Sequence, residues 1–171
     1  ITPLGHGPMR LDGEALTLKS IAIGQAGLEA AALRPDAYSV DARGLTLHQP
    51  PSVPFRLVTE VEISPAANTA LSGLYVSGGR LCTQCEAEGF RRVTYYPDRP
   101  DVMSSFRVLL DAPKAEFPIL LSNGTPGSAG DLAGGRHYAE WIDPHKKPAY
   151  LFALCAGDYD VLRDTFTTMS G

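Results

Sequence analysis

In VPFRLVTEVEI, residues 53–63, Phe55, Leu57, Thr59 and Val61 fall on one face of an extended chain, and the run is bounded by prolines and polar turn residues. Side chains of a strand alternate between faces, so this pattern specifies a strand with one buried side. The same grammar recurs along the chain: short apolar runs, then Gly, Pro, Asn or Asp. ALTLKSIAI (15–23) alternates with a phase change that predicts a bulge. Further strands are predicted over 44–48, 74–76, 92–96, 104–112, 117–122, 137–141 and 149–156. Only QAGLEAAALRPDA (25–37) has helix-forming composition, and Pro35 limits it, so helix and strand both stand there. SNGTPGSAGDLAGG (122–135) reads as a long Gly-rich surface loop. The fold class is all-β, with antiparallel sheets in a saddle-like or sandwich arrangement and little helix.

With 171 residues and no linker or repeat, the chain is expected to form a single β domain over 1–171. A net charge of -4 with scattered basic residues carries no footprint for nucleic acid or an anionic membrane surface. No apolar run approaches the ~20 residues that cross a bilayer, and the first residues lack a signal-peptide layout. Three cysteines do not make a disulfide framework and fit a reducing compartment, so a cytoplasmic location is expected. Position 1 is Ile1 rather than Met, which reads as a processed or cut chain.

The stretch written for chemistry is RLCTQCEAEGFRRVTYYPDRPD, residues 80–101. Cys82 and Cys85 have C-x-x-C spacing, but structural zinc needs four ligands, and Cys155, His6, His48, His137 and His145 are scattered. A thioredoxin-like centre needs a helix after the first cysteine, whereas EGFRRVTYYP is strand-like and ends in proline. Both thiols therefore read as small packing residues. If the segment is extended, Gln84, Glu86 and Glu88 share one face. Such carboxylates can form an acid/base pair, bind a cation, or sit solvated at an edge; a solvated face suits Glu88, and an ammonium site suits Glu86 with Gln84. In YYPDRPD, Pro97 and Pro100 fix the backbone, and Asp98, Arg99 and Asp101 can bond turn amides or each other, which predicts a rigid turn. The chain contains no G-x-S-x-G, no G-x-x-x-x-G-K and no H-E-x-x-H.

Residues 63–106, with the run CTQCEAEGFR followed by YYPDRPDV, resemble the N-terminal domain of the bacterial aminopeptidase N family, zinc exopeptidases of the gluzincin type. The resemblance continues through FPILLSNG (117–124) and GRHYAEWIDPHKKPAYLFALCAGDYDVLRDTFTTMSG (135–171), and more weakly through 8–23. It implies a saddle-like β module that starts partway through its first strands. It also implies that the zinc and the catalytic residues belong to a following catalytic domain, so that no catalytic residue and no metal ligand lie in this chain. The glutamate of C-T-Q-C-E and the glutamine two before it are implied to bind the free α-amino group of peptide substrates, roles that fall on Glu86 and Gln84. A cis peptide between Glu86 and Ala87 is implied as well. The competing reading is a non-enzymatic β-sandwich that binds a protein or carbohydrate through Tyr138, Trp141 and the 122–135 loop.

Overall fold

Strand-forming runs this short cannot stand alone, and the chain satisfies their backbones by pairing them into four small sheets. The computed structural model describes residues 1–171 except 4, 6, 26, 27, 163, 170 and 171. His6, one of the histidines weighed as a ligand, thus lies outside the described residues. The strands are β1 (Met9–Asp12), β2 (Thr17–Gly24), β3 (Ala31–Ala32), β4 (Tyr38–Asp41), β5 (Gly44–Leu47), β6 (Arg56–Glu62), β7 (Gly73–Ser77), β8 (Arg80–Gln84), β9 (Met103–Pro113), β10 (Ile119–Ser122), β11 (Thr125–Leu132), β12 (Arg136–Pro148) and β13 (Leu154–Gly157). Their orders are β1-β5-β4, β3-β2-β6, β10-β13-β8-β7 and β11-β12-β9, and every pairing is antiparallel. The bulge predicted in β2 lies between Leu18 and Ser20.

Two cores organise these sheets. In the first, Leu11 of β1, Leu45 and Leu47 of β5, Ile21 of β2 and Phe55 pack with Tyr95, so the two N-terminal sheets meet face to face. Leu57 and Val61, from the alternating run that specified β6, pack against the same cluster. In the second, Phe90, Cys85, Ala149 and Phe152 gather Tyr96, Phe106, Val108 and Leu154, which joins the β8 sheet to the β9 sheet. Its rings meet edge-on, Phe90 lying 5.0 Å from Tyr96 and 5.1 Å from Phe152 between centroids.

The structure corrects several expectations. Residues 92–96 are not a strand: Phe90–Arg92 form a 3-10 turn, and only Tyr96 pairs, in a single bridge with Asp12. The backbone bonds locally instead of to a partner strand: Arg92 N donates to the Gly89 carbonyl at 3.0 Å and Val93 N to the Phe90 carbonyl at 2.8 Å. The chain leaves this turn with Phe90 and Tyr96 in the second core and Tyr95 in the first. Within 149–156, Ala149–Leu151 are likewise a 3-10 turn, and β13 starts at Leu154. The ambiguous 25–37 stretch holds the two-residue β3 and a 3-10 turn over Pro35–Ala37.

The largest correction concerns 122–135. Residues 125–132 form β11, although TPGSAGDL has no apolar alternation. The strand is specified by its partner. A Cβ at Gly127 would stand 2.9 Å from Oε2 and 3.0 Å from Cγ of Glu140 on β12, so a larger residue would push that carboxylate from its place and glycine leaves it room. Ser128 Oγ donates to the same oxygen at 2.9 Å, and Lys114 pairs with Asp131 at 2.6 Å. Cross-strand contacts override composition here.

Leu45 is fully buried, whereas Leu109 on β9 is 65% exposed. Leu45→Ala is expected to lower stability in urea denaturation by about 2–5 kcal/mol, and Leu109→Ala to change it by no more than about 0.5 kcal/mol. Equal losses would contradict this placement of the core.

Candidate functional site

Strand β8 pairs with β7 from Arg80↔Ser77 to Gln84↔Gly73 and then stops. It stops because the chain turns back: Gly89 N donates to the Cys85 carbonyl at 2.7 Å. A Cβ on Gly89 would overlap the Gln84 carbonyl and stand 2.9 Å from both Cys85 Cα and Gly73 N, so this close return requires glycine. Inside the turn the Glu86–Ala87 peptide is cis.

The turn sorts the three polar residues that an extended chain would have aligned. Gln84 Nε2 donates to the Glu86 carbonyl at 3.1 Å, which holds the amide beside the Glu86 backbone. Glu88 instead swings to Arg91, at 3.4 Å. The shared face of Gln84, Glu86 and Glu88 is therefore not formed, because the strand period ends at Gln84. Glu86 is exposed, and among the described residues its carboxylate has no ion pair and no hydrogen-bond donor. An exposed, unpaired carboxylate has the lone pairs to accept hydrogen bonds from a cationic donor.

Behind this turn lies a brace that sequence reading found only in part. Asp98, 3% exposed, accepts from the Arg91 backbone N and from Arg91 Nε, both at 3.1 Å, and Arg91 also donates to the Asp98 carbonyl at 3.2 Å. The Asp98 N donates to Asp12 Oδ2 at 3.0 Å, and Arg91 approaches that carboxylate at 3.8 Å. Asp98 therefore ties β1 to the segment that follows Glu86. Arg99 pairs with Asp101 at 3.1 Å on the surface. The rigid turn expected over YYPDRPD is present, while Arg91, its main partner, carried no sequence signal beyond its charge.

The two thiols of C-x-x-C live in different places. Cys85 is 3% exposed in the second core, and burial, helped by the charge of Asp98, pushes its pKa up to about 12. Cys82 is half-buried on β8. Cys82 lies within β8 whereas Cys85 follows its last residue and enters the second core, so the two thiols of the motif occupy different surroundings. The histidines are held elsewhere: His48 bonds to the Asp36 carbonyl and Ser39 Oγ at 3.0 and 3.1 Å, and His137 to the Phe117 carbonyl at 2.7 Å. Among the described residues no three of His, Cys, Asp and Glu gather in a way that could hold a metal ion. No helix among them is long and apolar enough to cross a membrane. Trp141, proposed as part of a contact surface, donates its indole N–H to the Leu120 carbonyl at 3.1 Å and braces β12 against β10.

Fold and site together define an all-β domain that carries an exposed acceptor pair at the end of a strand hairpin. The chain belongs to the Peptidase M1 N-terminal domain family, whose model its residues 19–151 match. Aminopeptidase N of Caulobacter vibrioides is 58% identical over 164 residues, 96% of this chain and 18% of that protein. Aminopeptidase N of Escherichia coli is 52% identical over the same share of each. The chain thus spans 18% of the length of these relatives. Among solved structures, Legionella pneumophila aminopeptidase A in complex with aspartic acid aligns with a TM-score of 0.82 at 32% identity, over 92% of this chain and 18% of that one. An M1 zinc metallopeptidase from Deinococcus radiodurans shares the fold, with a TM-score of 0.74 at 18% identity over 91% of this chain and 35% of that one.

Burial should make Cys85 inert: alkylation of the native protein at mild alkaline pH is expected to leave Cys85 unmodified, and rapid labelling there would contradict its place in the core. Asp98→Ala leaves Arg91, whose side chain is 16% exposed, without its buried partner. A loss of on the order of 3 kcal/mol is expected in denaturant titrations, and an unchanged midpoint would remove the brace from the account.

Proposed function

We propose that residues 1–171 form a single domain, the non-catalytic N-terminal β domain of a zinc-dependent aminopeptidase, and that Glu86 and Gln84 receive the α-amino group of the peptide substrate. The observation that carries this reading is the exposed, unpaired Glu86 carboxylate with the Gln84 amide fixed 3.1 Å from its own carbonyl. Relatives that are aminopeptidases over the same stretch support it, as does the likeness to an aminopeptidase structure that contains an amino acid.

An α-ammonium has a pKa near ~8, so at neutral pH most peptides present a cation at their first residue and nowhere else along the backbone. A fixed carboxylate turns that cation into a length standard. It holds the first residue, and therefore the first peptide bond, at one distance from whatever cleaves it. The magnitude depends on water. An exposed pair contributes only about 0–1 kcal/mol, whereas truncating one partner of a desolvated charge pair costs about 2–5 kcal/mol. Glu86 becomes an anchor when a second surface covers it, and we assign that surface to the catalytic domain of the same chain.

Zinc does not fit the residues described, because no ligand set gathers among them. The metal is assigned to the catalytic domain, and the part of this domain is binding and orientation. Its partners are peptides with a free N-terminus and that catalytic domain; a net charge of -4 offers nothing to nucleic acid or an anionic membrane. Three free thiols support a cytoplasmic location.

In the full-length enzyme, Glu86→Gln is expected to lower kcat/KM on an alanyl anilide by roughly 30-fold or more, with zinc content by elemental analysis unchanged. Unaltered kinetics on that substrate would sink the assignment.

A further inference from the structure

The cysteine that Cys82 faces is not its motif neighbour. Strand β13 runs antiparallel to β8 with Cys155 directly opposite Cys82 and Ala156 opposite Leu81. At the adjacent position, Leu154 turns both its N–H and its C=O toward β8, where Thr83 Oγ1 accepts from one at 2.9 Å and donates to the other at 3.2 Å. Backbone polar groups alternate in direction along a strand, so those of Cys155 point away, toward Leu121 of β10. Cys82 and Cys155 are thus a non-hydrogen-bonded cross-strand pair, the kind with the closer side chains, at a Cα separation of about 4.5 Å. Disulfides span Cα separations of about 4.4–6.8 Å. Both thiols are half-buried rather than sealed in a core.

The surroundings of the pair are consistent. Tyr75 is the register partner of Cys82 on β7, and the Tyr159 hydroxyl donates to the carbonyl of Leu81, next to Cys82, at 3.4 Å. Tyr159 is held in place by the Arg80 guanidinium, 5.1 Å from its ring centroid. Burial raises the pKa of the Cys155 thiol, which keeps it protonated at neutral pH. No third ligand stands by, so among the described residues the pair is not part of a metal cluster.

We propose that Cys82 and Cys155 form a reversible redox site that closes into a cross-strand disulfide by exchange with a low-molecular-weight disulfide. The thiolate of one cysteine attacks a sulfur of the external disulfide, expels one small thiolate and leaves a mixed disulfide on the protein. The other cysteine, as thiolate, attacks that protein sulfur and expels the second small thiolate. Two protein thiols are oxidised, one external disulfide is reduced to two thiols, and the two protons end on the released thiolates. The bond closes across the short β8–β13 pairing, two residues before Gln84. This proposal stands whether or not Glu86 binds an amine.

The test is made on the full-length protein, reduced and then equilibrated with oxidised glutathione. The reaction is quenched in acid, free thiols are alkylated under denaturing conditions, and the cross-linked peptides are fragmented between Cys82 and Cys85. The expected result is a Cys82–Cys155 link, reversed by dithiothreitol, with Cys85 alkylated. In Cys155→Val the link is expected to vanish and Cys82 to retain glutathione. A Cys82–Cys85 link, or wild-type protein in which Cys82 and Cys155 remain separately alkylated or separately glutathionylated, would overturn the proposal.

Discussion

Among the described residues three backbone hydrogen bonds tie the N-terminal sheets to residues 91–96, one of them from Glu14 N to the Arg91 carbonyl at 3.0 Å; the other two form a bridge. Asp12 N donates to the Tyr96 carbonyl at 2.8 Å, and Tyr96 N donates to the Asp12 carbonyl at 3.1 Å. One bridge of this kind is weak in isolation, with each bond worth about 1 kcal/mol net. Its importance comes from what hangs on it. Tyr95 enters the first core and Tyr96 the second, and the buried Asp98 then returns to Asp12 through its own amide. Arg91 closes the loop by holding Asp98 and approaching Asp12. The end of β8 and the turn that carries Glu86 are positioned from behind by this network, through Phe90 in the second core and Glu88 on Arg91.

Much of this architecture was legible in the sequence where local pattern and tertiary demand agree. The alternation in 53–63 became β6 with Leu57, Thr59 and Val61 turned inward, and the phase change in 15–23 became a bulge. It was illegible where the partner decides. Nothing local in TPGSAGDL announces a strand, because what defines it is the carboxylate of Glu140 beneath Gly127. The turn at 85–89 was hidden for a related reason: the return of Gly89 is fixed by Gln84, Cys85 and Gly73, contacts that no spacing rule encodes.

The site shows the same division. The residues alone suited Glu88 to a solvated face and Glu86 with Gln84 to an ammonium site; family resemblance then gave that pair its implied role. The structure separates them by partner, since Glu88 is committed to Arg91 and Glu86 is not. C-x-x-C was misleading as a pair because β8 ends between its members: Cys82 is on the strand, and Cys85 is past its end in the second core. The partner of Cys82 lies 73 positions away in sequence and is found only through the register of β8 and β13.

The tyrosine pair has a consequence for how a chain like this can change over generations. Consecutive residues that enter separate cores make position along the chain, more than residue identity, the quantity under constraint. A conservative exchange at Tyr95 alters one cavity. A single inserted residue ahead of it would send the wrong ring to each core and carry Asp98 past Asp12, so the span from Phe90 to Asp98 behaves as a spacer of fixed length, and insertions are to be sought in the surface turns on either side.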